Sequence, residues 1–151
     1  MLTAVIFLPL SVFAQLQTYS FAQLDSLQKT KKKNIVVFIH TDWCKYCQTM
    51  KNTTFKDKKV VQLLNEKFWF ADFNAEEKQD IIFNGHTFKY KPTGSNTGIH
   101  ELAEQLGTAN GKVSYPALCI LNSDYEIIFQ YDQFLSSTDL LKVLNEVLKN
   151  S

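Results

Sequence analysis

Two cysteines three positions apart are the residues of this sequence best suited to chemistry. Cys44 and Cys47 stand in the segment Trp43-Cys44-Lys45-Tyr46-Cys47, between a strand-like apolar run and the start of a helical pattern. At a helix start, this spacing places the two sulfurs one turn apart, close enough to form a disulfide. The first sulfur also faces the unpaired amide groups and the positive end of the helix dipole, which favour the thiolate. The thiolate is the nucleophile of disulfide exchange, so we expect Cys44 to attack a disulfide and Cys47 to resolve the mixed disulfide.

The same pair has two other interpretations, half of a zinc site and an inert structural disulfide. Structural zinc normally needs a second pair of Cys or His ligands at matching spacing. The remaining histidines and cysteine are His40, His86, His100 and Cys119. They form no such pair, so the sequence predicts no metal site, although a module that holds copper or zinc through the two thiolates stays an alternative function. The preferred interpretation is redox chemistry with no cofactor beyond a Cys44–Cys47 disulfide.

Composition limits the other classes of protein. A chain of 151 residues with 45% hydrophobic and 13% aromatic residues has the size and content of one globular domain. Its 16 basic residues, all of them lysine, and its 15 acidic residues leave a formal net charge of +1. A nucleic-acid-binding protein normally carries a basic surplus and uses arginine to read phosphate and guanine. Nucleic acid is therefore excluded as a partner.

The N-terminal segment has the pattern of a secretion signal. The apolar run from Leu2 to Phe13 is shorter than the roughly 20 residues that a membrane-spanning helix needs. Val12 and Ala14 place small or apolar residues at −3 and −1 of a signal-peptidase site after Ala14. Residues 1–14 are therefore predicted to be a signal peptide, which leaves a periplasmic or secreted mature chain, 15–151, without a membrane span. The alternative is a buried N-terminal strand or helix of the mature domain.

Helical and strand patterns alternate around the cysteine pair. The predicted order is a helix opened by a capping box at Ser20, a strand over Asn34–His40, a helix from Cys44 to about Asn52, a helix from Asp57 and a strand over Phe68–Phe73. Later come two strands, Tyr115–Leu121 and Tyr125–Tyr131, and a final helix capped at Ser136. This alternation predicts an α/β fold with a mixed central sheet that is covered by helices on both faces.

An irregular segment, residues 74–112, interrupts the alternation. Asn84-Gly85 between β-prone residues predicts a two-residue hairpin, and Lys91 to Gly98 is polar and rich in turn residues. Thr97 or Asn96 is predicted to cap a helix through Leu106, with Gly107 just past its end. His86 and His100 are predicted to be surface or supporting residues of this insertion.

These residues and their order resemble the thioredoxin superfamily. Asn34–His40, the Trp-Cys-x-x-Cys segment and the following helix match its active-site region, and Tyr115-Pro116 matches its cis-proline position. The segment from Asp42 to Cys47, with Met50 and Phe55, resembles secreted thioredoxin-like thiol–disulfide oxidoreductases and the C-terminal domain of the periplasmic disulfide-reductase relay. The resemblance covers most of residues 18 to 150 apart from the insertion.

The resemblance implies a thioredoxin-like fold and a thiol–disulfide oxidoreductase. Its partners would be protein thiols and disulfides, with an upstream membrane reductase as a further candidate and the reductase direction favoured over oxidation. Trp43, Tyr46, Tyr115 and Pro116 are the expected substrate-binding residues, and a cis-proline leaves the backbone of Tyr115 free to pair with an extended substrate segment. A non-catalytic interaction domain, with the insertion 74–112 as its binding surface, is a further alternative.

Two positions depart from or add to this pattern. Many thioredoxins carry a buried acidic residue six positions before the first active cysteine, where this chain has Phe38. The proton acceptor for Cys47 must then be water or another group, and His40 is a candidate. Cys119 lies in a predicted core strand and is interpreted as a small buried hydrophobe. In the thioredoxin arrangement, the connection before the proline strand approaches the active-site end of the sheet. We therefore expect the insertion, residues 74–112, to contact the substrate beside Cys44 and to select it.

Overall fold

A computed structural model describes residues 14–151 of the chain. The predicted signal peptide lies outside the described residues except for Ala14, which is exposed. The helices are α1 (Phe21–Thr30), α2 (Lys45–Asn52), α3 (Lys58–Lys67), α4 (Glu101–Gly107) and α5 (Ser137–Lys149), with a 3₁₀ turn at Thr54–Lys56. The strands are β1 (Asn34–His40), β2 (Phe68–Asn74), β3 (Ile81–Phe83), β4 (His86–Phe88), β5 (Tyr90–Pro92), β6 (Gly98–His100), β7 (Ala117–Leu121) and β8 (Ile127–Tyr131). Within 14–151, no helix is both long enough and apolar enough to cross a membrane.

A four-stranded mixed sheet forms the centre of the fold, in the order β2-β1-β7-β8. β1 is parallel to β2 and antiparallel to β7, and β7 is antiparallel to β8. Because β1 lies inside the sheet and has helices on both faces, its run of apolar residues is buried throughout, as the sequence predicts. The predicted α/β fold with a mixed sheet is confirmed.

The two faces of the sheet carry separate apolar cores. Alternate residues of β1 point to opposite faces, so Val36 and Phe38 pack with α2, α3 and α5. Ile35, Val37 and Ile39 pack on the other side with α1 and α4. Both cysteines of the Cys-x-x-Cys pair belong to the first core, which places them in contact with the most buried part of the chain.

The predicted helix starts are confirmed by their caps. Ser20 accepts a hydrogen bond from the Gln23 backbone N–H at 3.2 Å, and the Gln23 side chain accepts one from the Ser20 N–H at 2.8 Å. Asp57 caps α3 through the backbone N–H groups of Lys59 and Val60. These bonds satisfy amides that a helix start leaves without partners, which is why such residues fix the helix boundaries.

The insertion contains two hairpins where the sequence predicts one. The Asn84-Gly85 turn joins β3 to β4 as predicted, with positive φ angles of 48° and 74° that a two-residue turn of this type requires. The segment predicted to be a turn-rich loop is instead a second hairpin, in which β5 pairs with β6. Its strands are three residues long and one contains Pro92, so neither has the alternating pattern that signals a strand.

The start of α4 and the environment of His100 differ from the prediction. Thr97 and Gly98 belong to the second hairpin and its turn, so the helix begins only at Glu101, and Gly107 is its last residue. His100 is the N-cap: its Nδ1 accepts a hydrogen bond from the Leu102 N–H at 3.2 Å. The side chain is fully buried, so His100 is a supporting residue of the insertion and not a surface one. Its Nε2 has a second partner 3.1 Å away in the Gln79 carbonyl.

The first hairpin lies at the end of the sheet opposite to the cysteines. Phe83 packs against Phe21 of α1 and Tyr125, with ring centroids 5.0 and 5.2 Å apart. Tyr125 belongs to the turn that follows Leu121. Leu121 pairs with Ile35, so this turn lies at the beginning of β1. The cysteines follow the other end of β1, so the Asn84-Gly85 turn lies away from the cysteine pair. Substrate selection by residues 74–112 stays a prediction.

Candidate active site

The cysteine pair is positioned by the end of β1 and the start of α2. The chain leaves the sheet after His40, crosses a short turn and enters the helix with Cys44 as its N-cap. A disulfide joins Cys44 to Cys47, whose Cα atoms are 5.3 Å apart. The Cys47 backbone N–H donates to Cys44 Sγ at 3.1 Å. The sulfur of Cys44 therefore occupies the place that a serine or aspartate oxygen takes in other helix caps.

This location favours a reactive thiolate at Cys44. When the disulfide is reduced, the same backbone N–H and the positive end of the α2 dipole stabilise negative charge on that sulfur. Cys44 is 7% exposed and Cys47 is 1% exposed, so Cys44 is the more accessible residue of the pair. The geometry can support attack by Cys44 on an external disulfide, followed by internal attack by Cys47.

Two exposed aromatic side chains flank the pair. Trp43 and Tyr46 are each 67% exposed, which is unusual for large apolar groups. The Trp43 indole lies edge-on to Tyr115, with ring centroids 5.9 Å apart, and its Nε1 donates to Glu76 Oε1 at 3.0 Å. Glu76 is a site residue that sequence reasoning missed, since nothing in its local pattern indicates a partner 33 positions away.

Tyr115 and Pro116 enter the site from β7. The peptide bond between them is cis, and Pro116 is buried at the entry to the strand. Ala117, the next residue, pairs with Ile39, so the proline lies beside the end of β1 from which the active-site turn departs. Burial, together with the charge of Glu76, raises the pKa of the Tyr115 hydroxyl to about 12 and keeps it neutral.

Cys119 takes no part in this site. It lies in the core on the α1 and α4 face, with 0% exposure, as predicted for a packing residue. Burial raises the pKa of its thiol to about 12, so it carries little thiolate at neutral pH.

A charged cluster lies beneath α2, next to the core that holds the cysteines. His40 Nε2 is 2.7 Å from Asp72 Oδ1, and Lys51 Nζ is 3.2 Å from Asp72 Oδ2. Burial alone would raise the pKa of the Asp72 carboxyl, but the hydrogen bonds and charges of His40 and Lys51 outweigh it and hold that pKa below its usual value. Asp72 lies opposite Phe38 in the parallel register, a relation that only the strand pairing reveals.

The described residues hold no cluster of potential metal ligands around the cysteine pair. Among residues 14–151, no three His, Cys, Asp or Glu side chains come together in a way that could hold a metal ion. His40, His86 and His100 lie in three different places, on β1, on β4 and at the start of α4. The cysteine pair is thus brought together with aromatic rings and a proline rather than with further ligands.

A mixed sheet with helices on both faces, a Cys-x-x-Cys pair at a helix start and a neighbouring cis-proline together define a thioredoxin fold. The family model described as "Thioredoxin-like" matches residues 19–123, and the chain belongs to this family. No curated protein matches the sequence.

Solved structures with thioredoxin folds are similar to the whole domain. One described as "DsbH Oxidoreductase" is 17% identical with a TM-score of 0.64, and the match covers 99% of this chain and 95% of that chain. A thioredoxin from Thermus thermophilus is 20% identical with a TM-score of 0.62, over 89% and 88% of the two chains. The C-terminal domain of DsbD from Neisseria meningitidis, in its reduced form, is 18% identical with a TM-score of 0.51, over 83% and 94%. At these identities the similarity shows the fold alone.

Proposed function

We propose that this protein is a thiol–disulfide oxidoreductase that exchanges disulfides with protein substrates through Cys44 and Cys47, without a further cofactor. The observation that carries the proposal is the Cys44–Cys47 disulfide at the start of α2, with Cys44 Sγ bonded to a helix amide. An inert structural disulfide would need no place at a helix N-terminus and no flanking pair of exposed aromatic rings.

In the reductase direction, the reaction begins with both cysteines reduced. The Cys44 thiolate attacks one sulfur of the substrate disulfide, and the other substrate sulfur leaves as a thiolate. Cys47 then loses its proton and attacks Cys44 Sγ, forming the intramolecular disulfide and releasing the second substrate sulfur. Two electrons pass from the protein to the substrate, and the helix amides stabilise Cys44 whenever it carries charge.

The substrate is expected to be an extended protein segment. Trp43 and Tyr46 provide exposed apolar surface beside the disulfide, and Tyr115 lies against Trp43. The residue before Pro116 can offer its backbone groups to a strand-like peptide, while proline itself has no N–H. A small disulfide needs only the two cysteines, so the aromatic patch is needed chiefly for polypeptides.

We further propose that the protein works in the periplasm or outside the cell, in the reductase direction, and is recharged by a membrane reductase. The support is the apolar segment before Ala14, with its signal-peptidase pattern. The proposed direction follows from the resemblance of the segment Asp42 to Cys47, with Met50 and Phe55, to the periplasmic disulfide-reductase relay.

Trapping tests the function directly. Cys47→Ser should accumulate a mixed disulfide between Cys44 and its substrate, because the resolving thiol is absent. The parent protein should reduce insulin disulfides with dithiothreitol as electron donor, and Cys44→Ser should lose that activity. Cys119→Ala is the matched control and should behave as the parent, since its sulfur is buried.

Three results would contradict the proposal. These are an inactive parent protein, a Cys47→Ser variant that captures no protein from a periplasmic extract, and full function in cells of a variant lacking both Cys44 and Cys47. Stoichiometric copper or zinc in protein purified under reducing conditions, without insulin reduction, would instead identify a metal-binding module.

A further inference from the structure

We propose that His40, held in place by Asp72 and Lys51, accepts the proton that Cys47 loses when it resolves the mixed disulfide. This inference rests on the proposed function and adds a proton acceptor to the same site. His40 would be the base, while Asp72 and Lys51 would be positioning residues that act through it.

The three side chains form one contact cluster across three elements. His40 is the last residue of β1, Asp72 lies on β2 and Lys51 lies in the last turn of α2. His40 Nε2 is 2.7 Å from Asp72 Oδ1 and 3.1 Å from Lys51 Nζ, and Lys51 Nζ is 3.2 Å from Asp72 Oδ2. The histidine is 7% exposed, so these contacts fix the position of a buried ring.

The contacts also assign the hydrogen on the ring. Asp72 is an ionised carboxylate and can only accept, so the short bond to its Oδ1 requires a hydrogen on His40 Nε2. Lys51 then donates to the other carboxylate oxygen. In the neutral ring the free lone pair is therefore on Nδ1, and a proton taken up there is stabilised by the carboxylate behind Nε2.

The fold puts this cluster on the side of the sheet that α2 covers, where Cys47 also packs. Lys51 follows Cys47 by four residues on α2, and side chains at this spacing are neighbours on one helix face. Phe38 and His40 are two residues apart on β1 and share the face covered by α2, where their rings stack with centroids 5.5 Å apart. Phe38 and Cys47 lie in the same buried core. The helix face and the strand face that bear Cys47 and His40 are thus packed together.

Cys47 needs such a group because water has little access to it. The residue is 1% exposed, and the side chain of Phe38 in its core offers no proton acceptor. Two cavities of about 640 and 660 Å³ meet at Lys51 and Asp72, and His40 lines the second. A proton received by His40 can leave to solvent through these openings.

Other charged groups lie near the cluster on several sides. Glu77 and Asp80 line the second cavity together with His40. Asp42 is held by Asn74 in the active-site turn, with Asn74 Nδ2 donating at 3.3 Å. Asp72 and Lys51 are the charged groups in direct contact with the ring.

In the resolving step, the Cys47 S–H proton moves to His40 Nδ1 and the Cys47 sulfur bonds to Cys44 Sγ. The bond between Cys44 and the substrate sulfur breaks. The substrate leaves as a thiolate with the electron pair of the broken bond, and the imidazolium returns its proton to solvent. Cys44 and Cys47 are oxidised, and the substrate sulfur is reduced.

Reaction of the reduced protein with 5,5′-dithiobis(2-nitrobenzoate) separates the two thiols. Cys44 attacks first and releases one equivalent of coloured thiolate, and Cys47 then resolves the mixed disulfide and releases the second. At pH 7, His40→Gln should leave the first phase unchanged and slow the second by about 10- to 100-fold, at the lower end of general-base effects. The gap should close as the pH rises, because hydroxide replaces the missing base.

The control is His86→Gln, at an exposed histidine outside the site, which should keep both phases. Asp72→Asn should slow the second phase by about 3- to 10-fold, since the imidazolium loses its counter-charge. This variant tests the role of His40 even if His40→Gln fails to fold. A second phase within twofold of the parent in either variant, or a slowing that is equal at every pH, would overturn the inference. Absence of the first phase in the parent would instead refute the proposed function.

Discussion

Replacing His100 with phenylalanine should destabilise the fold while leaving the cysteine chemistry intact. The ring is fully buried and packs edge-on to Phe73, with centroids 5.6 Å apart, and phenylalanine preserves this aromatic contact. It removes both ring nitrogens, which cap α4 through the Leu102 N–H and bond the Gln79 carbonyl. Loss of the cap leaves the buried Leu102 N–H without a partner, which costs about 1–3 kcal/mol, and loss of the part-buried bond to the Gln79 carbonyl costs about 1 kcal/mol. The expected loss is therefore about 2–4 kcal/mol.

Thermal unfolding followed by far-ultraviolet circular dichroism measures this loss. At roughly 3 °C per kcal/mol for a domain of this size, Tm should fall by about 6–12 °C. His100→Asn restores an acceptor suited to a helix cap and should recover about 1 kcal/mol of the loss. His86→Phe, at an exposed position on β4, is the matched control and should leave Tm nearly unchanged.

A free energy of unfolding for His100→Phe within about 0.5 kcal/mol of the parent value, the range of ordinary surface substitutions, would refute this role of His100. A large loss accompanied by loss of insulin reduction in the folded variant would also contradict it. The backbone links His100 to β1, since its N–H donates to the Ala75 carbonyl and the Ala75 N–H donates to the His40 carbonyl. Phenylalanine leaves both of these bonds in place.

Four further predictions follow from the burial, charge and backbone geometry of single residues. Cys119, with a pKa raised to about 12 by burial, should stay unreactive toward thiol reagents at pH 8 until denaturant is added, and rapid titration of all three thiols in the native protein would contradict this. For Asp72, burial raises the pKa but its partners lower it below the unfolded value of 3.8, so Asp72→Asn should be less stable than the parent at pH 7. In urea titrations, the difference in free energy of unfolding between the two proteins should vanish as the pH falls below the lowered pKa of Asp72. A difference that persists in acid would exclude a charge effect. Glu76→Gln should weaken the anchoring of Trp43 and raise KM for a protein substrate by about fivefold, equivalent to about 1 kcal/mol, but leave reduction of a small disulfide unchanged. Gly85→Ala, at a φ of 74°, should lower the free energy of unfolding by about 1–2 kcal/mol without changing insulin reduction. Loss of activity without this loss of stability would show that the turn contacts the substrate.

Local patterns in the sequence were sufficient for the cysteine pair and for most of the elements around it. The caps at Ser20 and Asp57 use hydrogen bonds that span at most three residues, so the residue types alone place the helix starts. The apolar run of β1 indicates a strand with both faces covered, because only such a strand buries every position. The Asn84-Gly85 turn is equally local, since both residues tolerate the positive φ that the turn needs.

Tertiary structure alone decided which polar side chains meet. Asp72 reaches His40 because the parallel register sets β2 beside β1, and Glu76 reaches Trp43 from 33 positions along the chain. His100 is buried because a carbonyl and a helix amide from separate segments satisfy both ring nitrogens, which residue type cannot reveal. Hydrogen bonds between residues a few positions apart depend on the residue types along that short segment, so the sequence predicts them. By contrast, the partner of a side chain across a sheet depends on strand register and helix packing, which the whole core determines together.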